Sequence, residues 1–183
     1  SPFAATAAPS FPQSFINNLK TTQETYLQIA ADYAQAQQNR GQLVEQLAHF
    51  VSLLSPGGTV LDVGCGPGMD TAVLQTHQLT AIGLDFSYEM MRVGRDNHAI
   101  QVPFAQADMR RLPFAGQIDG IWACASLLHL ERDGMLPTLR EFHRVLKLGG
   151  VVYLSVKLGS GEKWTTTSYN RPLSRFFTFW QPG

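Results

Sequence analysis

The chain has little charge, little cysteine and no long apolar run, and each shortage excludes a class of protein. Charged residues make up 15% of its 183 positions, with 14 basic against 14 acidic side chains and a formal net charge of zero. That balance lacks the basic footprint of a general nucleic-acid binder. The two cysteines, Cys65 and Cys124, cannot build a disulfide framework, and a reducing cytoplasm fits them. No apolar stretch approaches membrane-spanning length. No spacing of His, Cys, Asp or Glu reads as a metal site. No segment repeats. Residues Ser1 to Ser10 are rich in Ala and Pro, without a basic start or an apolar core. They do not read as a signal peptide, and the absent initiating Met points to a trimmed start.

What is present is globular. Hydrophobic residues reach 44%, enough for one domain around one sizeable core. Residues 1–15 read as a loose tail, and 16–183 as a single α/β domain. Its parts are N-terminal helices over 24–54, a core over 59–157 and a last segment over 158–183. The core is organised around Thr59-Val60-Leu61-Asp62-Val63-Gly64-Cys65-Gly66-Pro67-Gly68. The apolar run reads as a buried parallel strand. Gly64, Gly66 and Gly68 let the backbone turn sharply and let a ligand approach without meeting a Cβ. Met69-Asp70-Thr71-Ala72-Val73-Leu74 then starts a helix, with an acid in its first turn. Strand, glycine loop and helix form the first half of a nucleotide-binding βαβ unit.

The loop is not the dinucleotide fingerprint, because position 69 is Met where that pattern wants a third glycine. Val60 to Gly68 instead resembles motif I of the class I S-adenosylmethionine-dependent methyltransferases. The resemblance continues in "GLDFSYEMM" (83–91), in Asp108 to Phe114, and in the run from Ile118 to Leu130. It implies a Rossmann-like doubly wound sheet in strand order 3-2-1-4-5, with S-adenosylmethionine as cofactor. The implied reaction is methyl transfer to a small molecule by in-line displacement. It also implies a final helix and an antiparallel strand pair, and the chain stops at Gly183 before the residues for them. A C-terminally truncated form follows, with the fifth strand left as an edge. Self-association through that edge, or through the aromatic run from Phe176 to Trp180, is expected.

Site residues follow from the motifs. Asp62 lies where the cofactor's ammonium and sulfonium make an acid welcome. Asp85 closes the second strand 23 positions on, where one carboxylate can accept from both ribose hydroxyls. Phe86 and Met90 would flank the adenine. The resemblance adds Asp108 for the adenine amino group and Met109, through its backbone N–H, for the ring. Ala123 and Cys124 would line the methionine end. Cys65 and Cys124 read as small apolar fillers rather than a redox pair. Tyr26, Ile29, Ala30 and Tyr33 recur at helical spacing, in a helix the family lays over its cofactor. Tyr33 and Arg40 are the candidates there, Arg40 facing the methionine carboxylate. His129 is the one residue of the fourth-strand region suited to acid–base work near neutral pH. A lone His after a strand is more often a packing or hydrogen-bonding residue. No N-P-P-[FYW] motif supports amino methylation of DNA bases or glutamine, and no Pro-Cys pair supports cytosine methylation. A dinucleotide oxidoreductase and a cofactor-binding module without catalysis stay open as alternatives.

Further elements are read from periodicity: a helix over 42–54, strands over 79–85, 102–107 and 151–156, and a helix ended by Gly149-Gly150.

Overall fold

The computed structural model describes residues 13–36 and 41–182. In order these are α1 (Gln13–Ala36), α2 (Val44–Ser52), β1 (Thr59–Val63), α3 (Met69–Thr76), β2 (Thr80–Asp85), α4 (Tyr88–His98), β3 (Phe104–Gln106), β4 (Ile118–Ala123), α5 (Arg132–Val145), β5 (Leu146–Leu154), β6 (Lys157–Leu158), β7 (Glu162–Thr165) and β8 (Arg175–Trp180). One 3₁₀ turn precedes α2, and another, Leu127–His129, follows β4.

Five parallel strands pair in the order β3-β2-β1-β4-β5. The order follows from patterning. β1 is buried on both faces, so it lies inside the sheet with helices above and below. Val60 faces one way, with Ala81, Trp122, Leu47, Phe50 and Leu74. Leu61 and Val63 face the other, with Leu84, Ile121, Phe142 and Val145. Removing a side chain such as Leu61 or Ile121 from water contributes about 2 kcal/mol. Trp122 is fully buried between the sheet and α3. Its indole N–H donates to Asp70 Oδ2 at 2.9 Å, and its ring stacks on Tyr153 at 4.0 Å. The donor is thereby satisfied where no water reaches it.

Three expectations change. α1 begins at Gln13, inside the region read as a tail, and runs to Ala36. It packs Ala30 and Ala34 against Met90 and Val93 of α4. α5 ends at Val145, and Gly149-Gly150 lies instead within β5. There the register against β4 shifts between Ile118 and Gly120, so the glycines form a bulge rather than a helix stop.

The third change concerns the aromatic run, which is not exposed. β8 is the middle strand of a second sheet, ordered β6-β8-β7, parallel to β6 and antiparallel to β7. Phe176 and Phe177 are buried, and Thr178 is fully buried with its hydroxyl on the Leu130 carbonyl at 2.5 Å. β8 is tied to α1 as well, since the Phe176 N–H donates to Thr22 Oγ1 at 3.1 Å. Among the described strands β5 is an edge of the large sheet, with Val152 and Leu154 39% and 40% exposed.

Candidate functional site

The glycine loop, the end of β2 and the loop after β4 converge at the C-terminal edge of the sheet, where the strand order reverses. Crevices at such switch points hold ligands. Here a cavity of about 640 Å³, counting its open mouth, is floored by Gly64, Gly66, Asp85, Ala125 and Ser126. α1 roofs it with Leu19, Thr22, Gln23, Tyr26 and Tyr33.

The floor is held by backbone bonds. The Gly64 and Cys65 N–H groups both donate to the Leu84 carbonyl, at 2.7 and 3.0 Å. Gly64 has φ +75°, and a Cβ there would stand 2.2 Å from the Cβ of Ser126. Only glycine lets β1's exit pass under the loop after β4. Asp85 ties the floor to α4: its Oδ2 accepts from the Gly66 N–H at 2.8 Å and its Oδ1 from the Ser87 N–H at 2.7 Å. Burial raises its pKa, and the donors at Ser87, Gly66 and Phe86 oppose that rise. Each oxygen keeps a lone pair for a ligand hydroxyl. Phe86 and Met90 supply an apolar wall beside it.

A smaller recess adjoins this cavity and shares Tyr33 and Gly64 with it. It is lined by Asp62, Cys65, Pro67, Met69, Asp70 and Cys124. Asp62 is buried and accepts from the Thr71 hydroxyl at 2.6 Å. Asp70 is buried too and accepts from Trp122. Two buried carboxylates favour a cationic ligand group. Burial, then the Asp62 charge, pushes the Cys65 thiol well up, so it stays protonated.

The other end of the cavity is built by long-range contacts. His129 Nδ1 lies 2.7 Å from the Phe176 carbonyl, and its Nε2 lies 2.8 Å from the Tyr26 hydroxyl. A carbonyl only accepts, so Nδ1 carries the proton and Nε2 is the acceptor. Tyr26 therefore donates to His129, and its oxygen accepts from an Arg175 guanidinium N–H at 3.3 Å. Burial, with Arg175 and Lys157 nearby, lowers the His129 pKa to about 4. Burial pushes the Tyr26 phenol up. Arg175 also sits near the rings of Tyr26, Tyr169 and Phe177, and the Lys157 ammonium lies 4.0 Å from the Phe177 ring centre.

Of the residues expected in the site, Tyr33, Asp62, Gly64, Cys65, Gly66, Asp85, Phe86, Met90, Met109, Cys124 and His129 line one cavity or the other. Three do not. Gly68 has φ +83° and a position where a Cβ would meet Phe104 at 2.5 Å, so it starts α3 and packs under β3. Ala123 is fully buried, and the lining passes to Ala125 and Ser126. Asp108 is turned into an ion pair with Arg110, at 2.5 Å, and does not line the cavity. Arg40 lies outside the described residues. Leu19, Thr22, Gln23, Tyr26 and Ser126 were missed as site residues. The α1 stripe pointed toward Tyr26, but nothing local marked the others.

Among the described residues, no group of three or more His, Cys, Asp or Glu side chains could hold a metal ion, and no helix is long and apolar enough to cross a membrane.

The sequence profile of a family described as "Methyltransferase domain" matches residues 60–150. The malonyl-[acyl-carrier protein] O-methyltransferase of Hamiltonella defensa is 31% identical over 126 residues, covering 66% of this chain and 48% of that protein. The trans-aconitate 2-methyltransferase of an Azoarcus species is 38% identical over 105 residues, covering 56% of this chain and 40% of that protein. The chain thus spans about half the length, or less, of these relatives. Among solved structures, the Burkholderia thailandensis 1,6-didemethyltoxoflavin-N1-methyltransferase, with bound 1,6-didemethyltoxoflavin and S-adenosylhomocysteine, superposes with a TM-score of 0.69. That match covers 95% of this chain and 76% of that one at 18% identity, a likeness of fold.

Proposed function

The chain belongs to the class I S-adenosylmethionine-dependent methyltransferase family, and from that premise we propose that it binds S-adenosylmethionine and transfers its methyl group to a small molecule. The observation that carries the reading is the order of chemistry along one crevice. Asp62 and Asp70 at one end suit the cofactor's ammonium. Asp85 has lone pairs free for ribose hydroxyls, and Phe86 and Met90 suit the adenine face. Tyr33 sits between the two recesses, 3.6 Å from where a Cβ of Gly66 would be. When bound, the cofactor supplies a methyl group on a sulfonium, already a good electrophile. The protein's part is to align the acceptor and keep water out, which α1 does by roofing the crevice.

Pyrophosphate is the poorer occupant, because buried carboxylates repel it and Met69 replaces the third glycine of a dinucleotide loop. A reducing cytoplasm suits a protonated Cys65 and is part of the proposal. So is self-association along β5, whose half-exposed Val152 and Leu154 could pair with another chain. Static light scattering over a dilution series checks it, and a constant monomer mass would remove it. For the main reading, S-adenosylhomocysteine should raise the melting temperature, because it binds only the folded state. NADH should not. No shift with S-adenosylhomocysteine at saturation would overturn the reading.

A further inference from the structure

The two recesses of the crevice meet at Gly64 and Tyr33, which line both of them. On one side of this junction lie Asp62 and Asp70, and on the other lies Asp85. Among the described residues that line the two recesses none is Lys or Arg. Such walls favour a ligand that carries positive charge.

Ser126 stands at the junction. A Cβ placed on Gly64 would come 2.2 Å from the Cβ of Ser126 and 3.0 Å from its Oγ. Ser126 lines the larger recess and is 6% exposed, yet its hydroxyl has no hydrogen-bond partner in the protein. Burial has stripped that hydroxyl of water, and no protein group replaces it.

The placement is enforced from both sides. Ala125 before it has φ +52°, a strained conformation for a residue with a Cβ. The Ala125 N–H donates to the Ser155 hydroxyl at 2.7 Å. The Ser126 carbonyl accepts from the His129 N–H at 3.3 Å. A strained turn thus holds an unpaired hydroxyl where the recesses join. Neither feature stabilises the free protein, so a ligand is the natural partner of this oxygen.

The methyltransferase reading says which part of a ligand that is. The cofactor's ammonium-bearing arm and its ribose are joined through one sulfur atom. With the ammonium toward Asp62 and Asp70 and the ribose on Asp85, the joining atom passes Ser126. In S-adenosylmethionine that atom is a sulfonium bearing the methyl group. In S-adenosylhomocysteine it is a neutral thioether. A hydroxyl lone pair attracts the first and is nearly indifferent to the second.

We propose that Ser126 selects the charged cofactor against its spent product, its hydroxyl oxygen facing the sulfonium and the methyl group. This rests on the methyltransferase reading above. The role is one of selection: it sets which form of the cofactor occupies the crevice, and no proton passes through Ser126.

Titration calorimetry tests this without turnover. The probes are S-adenosylmethionine, S-adenosylhomocysteine and sinefungin, which carries an ammonium in place of the methyl sulfonium. Ser126→Ala should weaken sinefungin about tenfold, the loss of one charge-assisted hydrogen bond. It should weaken S-adenosylmethionine about fivefold, the loss of a weaker contact from a cationic methyl. S-adenosylhomocysteine should change less than about twofold. Ser126→Cys, whose sulfur is a poorer acceptor, should fall between wild type and Ser126→Ala. Without ligand, Ser126→Ala should melt at or above the wild-type temperature, because it deletes an unpaired buried hydroxyl. A purely structural serine would instead lower the melting temperature and weaken all three probes alike, and that result would overturn the proposal. Unchanged affinity for all three would overturn it as well. Failure of S-adenosylhomocysteine to bind the wild-type protein would instead overturn the family reading beneath it.

Discussion

The two halves of the crevice are built by different means. The cofactor half is made of backbone turns and strand ends close together in sequence. Gly64, Gly66 and Asp85 set its shape through main-chain bonds. The other end draws on side chains from α1, from the 3₁₀ turn after β4 and from β8, with α1 more than 100 positions from the other two. Tyr26 meets His129 across 103 residues and Arg175 across 149. The difference teaches that one half is a property of the fold's scaffold and the other of the particular chain laid over it. A change in the first half should damage cofactor binding. A change in the second should alter stability, pH response or acceptor choice, and leave the cofactor alone.

The sharpest break of this comparison is Gly64→Ala, because Gly64 touches both halves. Its φ of +75° and a Cβ 2.2 Å from Ser126 combine left-handed strain with overpacking. The expected cost is about 3 kcal/mol in stability, with cofactor affinity lost as well; chemical denaturation and titration with S-adenosylhomocysteine check both. A variant as stable as wild type would mean the two loops can part freely.

Within the second half, acid should act through His129. His129 has a folded pKa of about 4, below its unfolded value of 6.5. Between these values the unfolded chain holds more protons, so stability rises with pH there and is lost as pH falls from 6.5 toward 4. The loss is up to about 3 kcal/mol. His129→Gln should flatten that part of a stability-against-pH curve. A slope unchanged in the variant would place the titration elsewhere.

Asp85→Ala should weaken S-adenosylhomocysteine by about 1–3 kcal/mol, through lost hydroxyl contacts and a loosened Gly66 N–H. Asp85→Asn should cost less, since its carbonyl can still accept one of the two N–H groups. The smallest effect belongs to Tyr26→Phe. It leaves His129 Nε2 without its donor and should cost about 1 kcal/mol in stability, with cofactor affinity unchanged in calorimetry.

Legibility followed the same division. The strand order and the Gly64–Asp85 floor could be read because each rests on a local pattern: an apolar strand, a glycine spacing, an acid at a strand end. For Gly68 and Ala123, adjacency in a motif does not settle which way a residue faces. Gly68 turns under Phe104, and Ala123 is the last buried position before the lining begins. Asp108 was read as a ligand contact, and Arg110 two positions on takes its carboxylate. Ser126 carried no signal at all, since only the strained turn at Ala125 aims it. The aromatic run of β8 was read as exposed because its cover, Thr22 and the turn at His129, comes from distant segments.

Isothermal titration of S-adenosylhomocysteine into the wild-type, Asp85→Ala and Tyr26→Phe proteins tests the central claim most directly. The account predicts saturable one-to-one binding to the wild type, weakened by Asp85→Ala and unchanged by Tyr26→Phe. Absence of saturable heat in the wild type, or equal weakening by both substitutions, would contradict it.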